Sequence, residues 1–397
     1  MTRKSPAVMS VAIDMTAMSP DYLGGVSRYS LSLIRAMLNQ NQRNITIMCT
    51  SKNYHFFRDK LPPRTKLMPL DLRENLLIRI LEFFAFRIYP STAVLQLAQN
   101  LRYSEFITRY AQDYQLIYTP TTYSNFTSSI AKSLVSLHDT QELKYPKFFT
   151  SKEIRYRKVR VKTTLKFSTS IQVSSNFIEE ELMNYFPLEL VGKHIVVIPE
   201  GVDTKYFKQL EERCVNEHLV IFYPASFLEH KNHDYLFKAL ELVPEEFNFC
   251  VKFTGEHNRY IDSLMDRTTE LVRSRLVMTG RLSDSQLLAE YQECNIVICC
   301  SKYESSSLPI LEGLSCGAIA LASDIPAHRE MAKVMPITLF GLENPESLAS
   351  ILIQLLRKGL CGFQTVSFNN FSAERDWSVI ASKYLDYFEE VTLENFK

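Results

Sequence analysis

Two doubly wound α/β domains in series, facing each other across a deep cleft, are predicted for this chain of 397 residues. Three observations lead there. The length exceeds what one ordinary core organises and suits two domains. Short, nearly continuous apolar runs alternate with longer amphipathic stretches, the pattern of parallel strands joined by crossover helices. That alternation breaks once, at the charged and mixed segment TKYFKQLEERCVNEH (204–218), and then restarts. The segment reads as the linker. The expected division is 1–205, joined by a C-terminal helix at about 378–397, against 206–377.

In the first half VMSVAID, ITIMCT, QLIYT, SLVSL, SIQV and HIVVIP read as strands, and SRYSLSLIRAMLNQ and SNFIEEELMNYF as helices between them. In the second half the strands are LVIFYP, FNFCVKFT, RLVMT, NIVICC and AIALAS. The helices are HDYLFKALELV, RYIDSLMDRTTELV, SDSQLLAEYQE and LPILEGLSC. Doubly wound domains bind ligands outside the carboxyl ends of their strands, so the loops after these strands are where chemistry is sought. The last amphipathic stretch, SAERDWSVIASKYLDYFEEV, places Trp377, Ile380, Tyr384 and Tyr387 near one face. Its simplest reading is packing of Trp377 on the second domain; the alternative is a helix that crosses back to brace the first.

Composition narrows the function classes. Lys and Arg number 45 against 44 Asp and Glu, so charge offers nothing to a nucleic-acid partner, and none is expected. No apolar run reaches the ~18 residues of a spanning helix. The start, MTRKSPAVMSVAID, lacks a long apolar region and a small-residue cleavage site, so a secretory signal is not expected. Eight cysteines without CxxC pairing read as reduced core thiols of a cytoplasmic protein.

Four loops carry candidate chemistry. In NIVICCSKYESSSLPILEGLSCG a strand, a polar loop and a helix follow one another, with Pro309 near the first helical position and Gly317 closing the helix. Open amides at such a start are an anion site. Glu312 then falls on the first turn, able to accept from two adjacent hydroxyls. Glu304 stands at the strand end, and a capping box is excluded because Pro309 occupies the position that would need Ser or Thr. In YPASFLEHKNHDYLFKAL, Lys231 sits in a loop at a strand's carboxyl end, where a diphosphate is matched; a solvated lysine is the plainer alternative. In DMTAMSPDYLGGVSRYSLSL, Gly24 and Gly25 precede a helix beginning near Val26 and permit close backbone approach, but this is not GxGxxG. In SLVSLHDTQE, His138 and Asp139 follow a strand, so His138 is placed to donate to a hydroxyl or move a proton.

Together these pieces resemble glycosyltransferase family 4, the retaining "glycosyl transferases group 1" enzymes with the two-Rossmann GT-B fold. The resemblance runs over roughly residues 9–390 and is carried by Gly24-Gly25, His138-Asp139, Ser174-Ser175, PEGVDTKYF (199–207), Lys231-Asn232, Thr254-Gly255, TGRLSDSQLLAEY (279–291) and Glu304 with Glu312. The PAxFxxHKNH pattern is similar to bacterial surface-polysaccharide enzymes, many of them mannosyl- or rhamnosyltransferases. The resemblance implies a nucleotide-diphosphate sugar donor, with GDP-mannose the first expectation, and no cofactor. It implies that Glu312 holds the donor ribose and that Glu304 meets the sugar hydroxyls. Ser306, Ser307 and Leu308 would offer amides to the donor, and Lys231 would neutralise the diphosphate. Gly25 would let backbone meet phosphate, and His138 would touch the sugar beside the reacting carbon. Arg281 and Leu282 would line the base pocket. Glu304, Lys231 and His138 are the expected catalytic residues. Ser226 stands where the family usually carries an arginine; it can hydrogen-bond a phosphate but cannot neutralise it. Glu200 replaces a common asparagine. No DxD motif occurs in the chain, so a metal-dependent diphosphate site of that kind is not expected.

The acceptor, a saccharide or lipid-linked saccharide, is expected on the N-terminal domain. Two stretches there suit an anionic membrane surface or a lipid diphosphate, giving peripheral contact with the inner face of the cell membrane. NLLIRILEFFAFRIYP (75–90) is apolar and aromatic with two arginines, and SKEIRYRKVRVKTTLK (151–166) carries seven Lys or Arg against one Glu. Their plainer readings are a core helix and a solvated helix face. A nucleotide-sugar epimerase, a disaccharide synthase and a non-catalytic nucleotide-sugar-binding protein are the competing functions.

Overall fold

A computed structural model describes residues 9–19, 24–40, 44–88, 90–126, 131–210, 219–358 and 373–393. The chain divides into two compact units, 1–199 with 377–397 and 200–376. The expected linker lies in part, from 211 to 218, outside the described residues.

Among the described residues the first unit holds a parallel sheet of β1 (Ser10–Asp14), β2 (Asn44–Thr50), β3 (Lys66–Leu70), β4 (Leu116–Thr119), β5 (Lys132–Leu137), β6 (Ser170–Val173) and β7 (His194–Val197), in the order β3-β2-β1-β4-β5-β6-β7. The second holds β8 (Leu219–Tyr223), β9 (Phe249–Thr254), β10 (Leu276–Gly280), β11 (Ile296–Cys299), β12 (Ile319–Ser323) and β13 (Ile337–Phe340), in the order β10-β9-β8-β11-β12-β13. Both sheets start at a central strand, wind outward one way and then reverse, so both are Rossmann-like. The reversal lies between β1 and β4 in the first sheet and between β8 and β11 in the second. Loops leaving those strands diverge there and open a crevice.

The central strands are buried except at the first residues of β1 and β8, Ser10 and Leu219, as a sheet covered on both faces requires. The edge strands β3 and β13, which the apolar pattern did not reveal, are half-exposed, and β3 carries Pro69, tolerated at an edge because no ladder partner needs its missing N–H. RYIDSLMDRTTELV, expected as one helix, is two, Arg259–Arg267 and Glu270–Ser274. Thr268 between them is extended and its hydroxyl turns back to the Leu264 carbonyl (2.7 Å).

The C-terminal helix Trp377–Leu393 belongs to the first unit, which corrects the placement of Trp377 on the second domain. Trp377 packs edge-on against Tyr29 of the helix Gly25–Asn39 (ring centroids 5.6 Å), and the Tyr29 and Tyr384 hydroxyls are hydrogen-bonded. Phe388 of the same helix meets Tyr118 of β4 at 5.2 Å. The apolar stripe read from the sequence is thus a real buried face, and it closes the first sheet. No helix among the described residues is long and apolar enough to cross a membrane. The six cysteines there are free thiols, five of them buried.

Candidate functional site

The second unit brings most of the expected residues to its reversal point. β8 ends at Tyr223, and the loop after it passes Ser226, which is exposed, and reaches the short turn Glu229–Lys231. Asn232 ends that turn in the left-handed region (φ 61°), a conformation that asparagine tolerates better than most residues, and the helix His233–Glu241 starts beyond it. Two ties hold Lys231 in place. The Tyr223 hydroxyl donates to its carbonyl, and the Lys302 amide, from the loop after β11, donates to the neighbouring His230 carbonyl (2.8 Å).

Across the crevice, Glu304 follows β11. Lys231 Nζ donates to Glu304 Oε1 at 2.6 Å, and the Ser301 hydroxyl donates to the same oxygen at 2.6 Å. Both partners of the ion pair are largely shielded, with 22% and 15% of their side chains exposed. Burial works to raise the Glu304 pKa, but the ammonium of Lys231 and the Ser301 hydroxyl override it and hold the carboxyl below its ordinary value.

The helix Leu308–Ser315 starts at Ser307, whose side chain does not cap it. The amides of Ile310 and Leu311 both donate to the Ser307 carbonyl, Pro309 has no N–H, and the amides of Ser306, Ser307 and Leu308 donate to no acceptor among the described residues. These are the donors left to an anion at this helix end. Glu312 lies in the second turn, one residue further in than expected, because the helix begins at Leu308 and not at Pro309. It is 4% exposed, at a depth where a carboxylate is rare. The helix packs closely on its strand: a Cβ on Gly313 would come within 2.5 Å of Val297 Cγ1 in β11. Gly317, in the left-handed region at φ 82°, closes the helix as expected, and the Ala318 amide returns to the Gly313 carbonyl (2.9 Å).

Two residues of the cluster escaped the sequence reading of roles. His328 is fully buried beneath the serine loop. Its Nε2 meets the Ser307 hydroxyl at 2.8 Å, its Nδ1 meets the Ser323 carbonyl at 2.8 Å, and the Ser323 hydroxyl donates to the Ser301 carbonyl (2.6 Å). The imidazole therefore positions the residue from which the helix starts. No local pattern announces it, since 21 residues separate it from Ser307. Glu200 is the second. It is buried, hydrogen-bonded to Ser306 and close in field to Glu304 and Glu312. Burial raises its pKa to about 7, the Ser306 contact works against that, and the charge of Glu304 adds to it. Glu200 is thus a third carboxyl of the cluster, held mainly as the neutral acid below that pH. Among the described residues no group of three or more His, Cys, Asp or Glu side chains is disposed to hold a metal ion.

Arg281 and Leu282 follow β10, which β9 separates from β8; Arg281 is exposed and Leu282 packs on the core. In the first unit Gly24 caps the helix Gly25–Asn39, one residue earlier than expected, and a Cβ on Gly25 would meet nothing within 4 Å. Nothing in its own chain demands a glycine there. His138 follows β5. Its Nε2 lies 3.0 Å from the Pro120 carbonyl and its ring stands edge-on to Tyr29 at 4.7 Å, so this imidazole and the helix after Gly24 are held together. Burial lowers its pKa, keeping it neutral, with Nε2 the donor to Pro120.

Comparison with known proteins finds sequence likeness in the second unit. The family model described as "Glycosyl transferases group 1" matches residues 206–361. A serotype-specific mannosyltransferase, WbdA of Escherichia coli, is 34% identical over 147 residues, 36% of this chain and 18% of that protein. The chain therefore aligns with less than a fifth of this curated relative. Sucrose-phosphate synthase from Thermosynechococcus elongatus superposes with a TM-score of 0.71 at 17% identity, over 96% of this chain and 99% of that one. Anabaena Alr3699/HepE, solved in complex with UDP and glucose, gives 0.70 at 15% identity, over 96% and 100%. At such identities the likeness is one of fold, two Rossmann-like parallel-sheet domains. The match to the glycosyl transferases group 1 model lies within the second unit.

Proposed function

We propose that this protein is a retaining glycosyltransferase that moves a sugar, mannose or rhamnose, from a nucleotide-diphosphate donor to a saccharide or lipid-linked saccharide acceptor in bacterial surface-polysaccharide synthesis. The observation that carries the reading is the Lys231–Glu304 pair at the reversal point of the second sheet, beside three amides at a helix start that have no acceptor among the described residues. A diphosphate leaving group needs a cation and preorganised donors where its charge develops. Lys231 and the amides of Ser306 to Leu308 supply them. Glu304 then meets the sugar hydroxyls and Glu312 the ribose, the two ends of a nucleotide sugar on either side of its diphosphate. GDP-mannose is the first donor to test, by likeness of the matched segment to a mannosyltransferase.

In the proposed reaction the acceptor hydroxyl attacks the anomeric carbon on the face the diphosphate leaves. The carbon–oxygen bond to the diphosphate breaks, the bond to the acceptor oxygen forms, and a departing phosphate oxygen takes the acceptor's proton. Retention of configuration follows, with no protein nucleophile and no metal ion in the scheme. Neutral His138, whose one N–H goes to the Pro120 carbonyl, accepts through Nδ1 from a hydroxyl of the donor sugar, and Gly24 and Gly25 leave backbone accessible to phosphate. Arg281 and Leu282 flank the base, and Ser226 hydrogen-bonds a phosphate. We place the protein at the cytoplasmic side of the cell membrane, in peripheral contact with it.

Proton NMR of the product formed from a donor of known anomeric configuration tests the scheme. The same configuration in the product supports it, and inversion overturns it. Donor conversion without acceptor would instead identify an epimerase.

A further inference from the structure

The first unit has its own reversal point, and the structure opens a cavity of about 880 Å³ there. Ala17, just beyond β1, and Asn125, beyond β4, line it, so it occupies the crevice between the two strands at which the winding reverses. Its electrostatics are one-sided. Arg79, Arg87, Arg102, Lys152 and Arg160 line it, against the carboxylates of Glu82 and Glu153. Both carboxylates are engaged. Glu82 receives a two-pronged bond from Arg102 (2.6 and 3.0 Å), and Glu153 accepts from the amide and hydroxyl of Thr150 at the start of its own helix (both 2.7 Å). Arg79, Arg87, Lys152 and Arg160 make no ion pair among the described residues.

Arg160 is the built part of the site. It is 8% exposed, one Nη2 hydrogen goes to Asn125 Oδ1 (2.8 Å), and its Nε has no hydrogen-bond partner. Buried Asp14, at the end of β1, interacts with it through space but forms no ion pair with it within 4 Å. A guanidinium so placed, on a cavity wall with donor capacity unspent, is costly unless an anion completes it. The other wall is apolar. The helix Leu76–Phe83 runs into a π-helical turn, Phe84–Ile88, an irregularity that recurs at functional sites. Phe83, Phe86 and Tyr156 line the cavity from this side. Outside it the same segment leaves Leu76, Leu77, Ile80, Phe84 and Ile88 between 42% and 73% exposed, a continuous apolar strip.

We infer that this cavity binds the phosphate or diphosphate of an isoprenoid-linked saccharide, the phosphoryl oxygens on Arg160, Arg87 and Lys152 and the apolar chain along the strip Leu76–Ile88. The inference rests on the transferase reading only in naming this ligand the acceptor. Guanidinium and ammonium groups without carboxylate partners call for an anion, and an apolar strip leading out of their cavity calls for a chain attached to it.

Titration calorimetry of the full chain with farnesyl diphosphate, inorganic diphosphate and farnesol separates the two halves of the claim. Farnesyl diphosphate is expected to bind at least about tenfold more tightly than either fragment, and the double variant Arg87→Gln, Lys152→Gln to weaken it roughly 10- to 100-fold. Both replaced side chains are exposed, so the variant keeps the fold; Arg160→Gln is a further test, read only if its melting curve stays cooperative. Equal affinity for farnesol, no binding of farnesyl diphosphate, or indifference to the double variant overturns the proposal. So does binding to phosphatidylglycerol vesicles without binding of farnesyl diphosphate, which makes the strip a membrane surface alone. Nucleotide-sugar stabilisation, measured on the same samples, reports on the second unit independently. If it fails while farnesyl diphosphate binds, the transferase reading falls and the cavity stands; the reverse result removes only the cavity.

Discussion

The two sheets share one topology, yet their reversal points are furnished in opposite ways. In the second unit the crevice residues are already paired: Lys231 with Glu304, Ser307 with His328, the two loops stitched by Lys302 and His230. In the first unit the corresponding crevice is open, with an apolar rim and with Arg79, Arg87, Lys152 and Arg160 in no ion pair among the described residues, although Arg102 is held by Glu82. The difference teaches that topology sets where a ligand goes, whereas the loops decide what it is. A compact, preorganised charge cluster suits transition-state charge that must be met without rearrangement. An open cationic pocket suits a bulky anion that arrives with its own charge.

The largest expected effect breaks the second cluster at its centre. Lys231→Met removes the cation assigned to the leaving group and should lower kcat by roughly 10²–10³, the loss typical of one electrostatic donor. Arg87→Gln in the first unit should instead act on the acceptor's KM. Equal effects on kcat from both variants would erase the distinction between the two crevices.

Glu200 comes next. Its folded pKa is about 7, above the ordinary carboxyl value, with burial the main cause. The neutral acid is therefore the form the fold favours. Its contribution to stability is fully present below the unfolded pKa, near 4.5, and is lost as pH rises through about 7. The loss is on the order of 3 kcal/mol across that window. Urea denaturation from pH 4.5 to 8 should show wild type declining relative to Glu200→Gln. Parallel curves would mean that Glu200 is ionised throughout and the carboxyl cluster is looser than described.

Gly313→Ala probes the support beneath the cluster. Its new methyl meets Val297 at 2.5 Å, in a strand that cannot retreat, so a cost of about 1–3 kcal/mol is expected in the same assay. Gly25→Ala, whose methyl meets nothing within 4 Å, should cost little stability and affect only donor affinity. A large stability loss at Gly25 would contradict the open surface described there.

Much of this was legible in the sequence because it is local. Apolar runs found the buried central strands, and strand–loop–helix order put Lys231 and Glu304 at carboxyl ends. What was not legible is either marginal or distant. The edge strands β3 and β13 bury too little to show a run. The helix start at Leu308 lies one residue before Pro309, which moves Glu312 into the second turn. His328 acts from 21 residues away, and Glu200 acquires its meaning only when the fold lays it beside Ser306, Glu304 and Glu312. The segment 151–166 was open between a solvated face and a binding surface. The structure divides it residue by residue. Arg157 faces Glu142 (3.5 Å), Lys162 pairs with Glu189 (2.6 Å), Val161 and Leu165 are buried, and Lys152 and Arg160 line the cavity.

The central claim, a nucleotide sugar held at the reversal point of the second sheet, is tested most directly by thermal unfolding. The full chain and Glu312→Ala would be melted with GDP-mannose, dTDP-rhamnose, UDP-glucose and UDP-GlcNAc. A ligand bound only by the folded state adds about 2.7 kcal/mol at a hundredfold excess over its Kd. The account predicts that one donor, GDP-mannose first, raises the melting temperature and that Glu312→Ala abolishes the rise relative to its own unliganded melt. A rise that survives in Glu312→Ala, or no rise with any of the four, would contradict it.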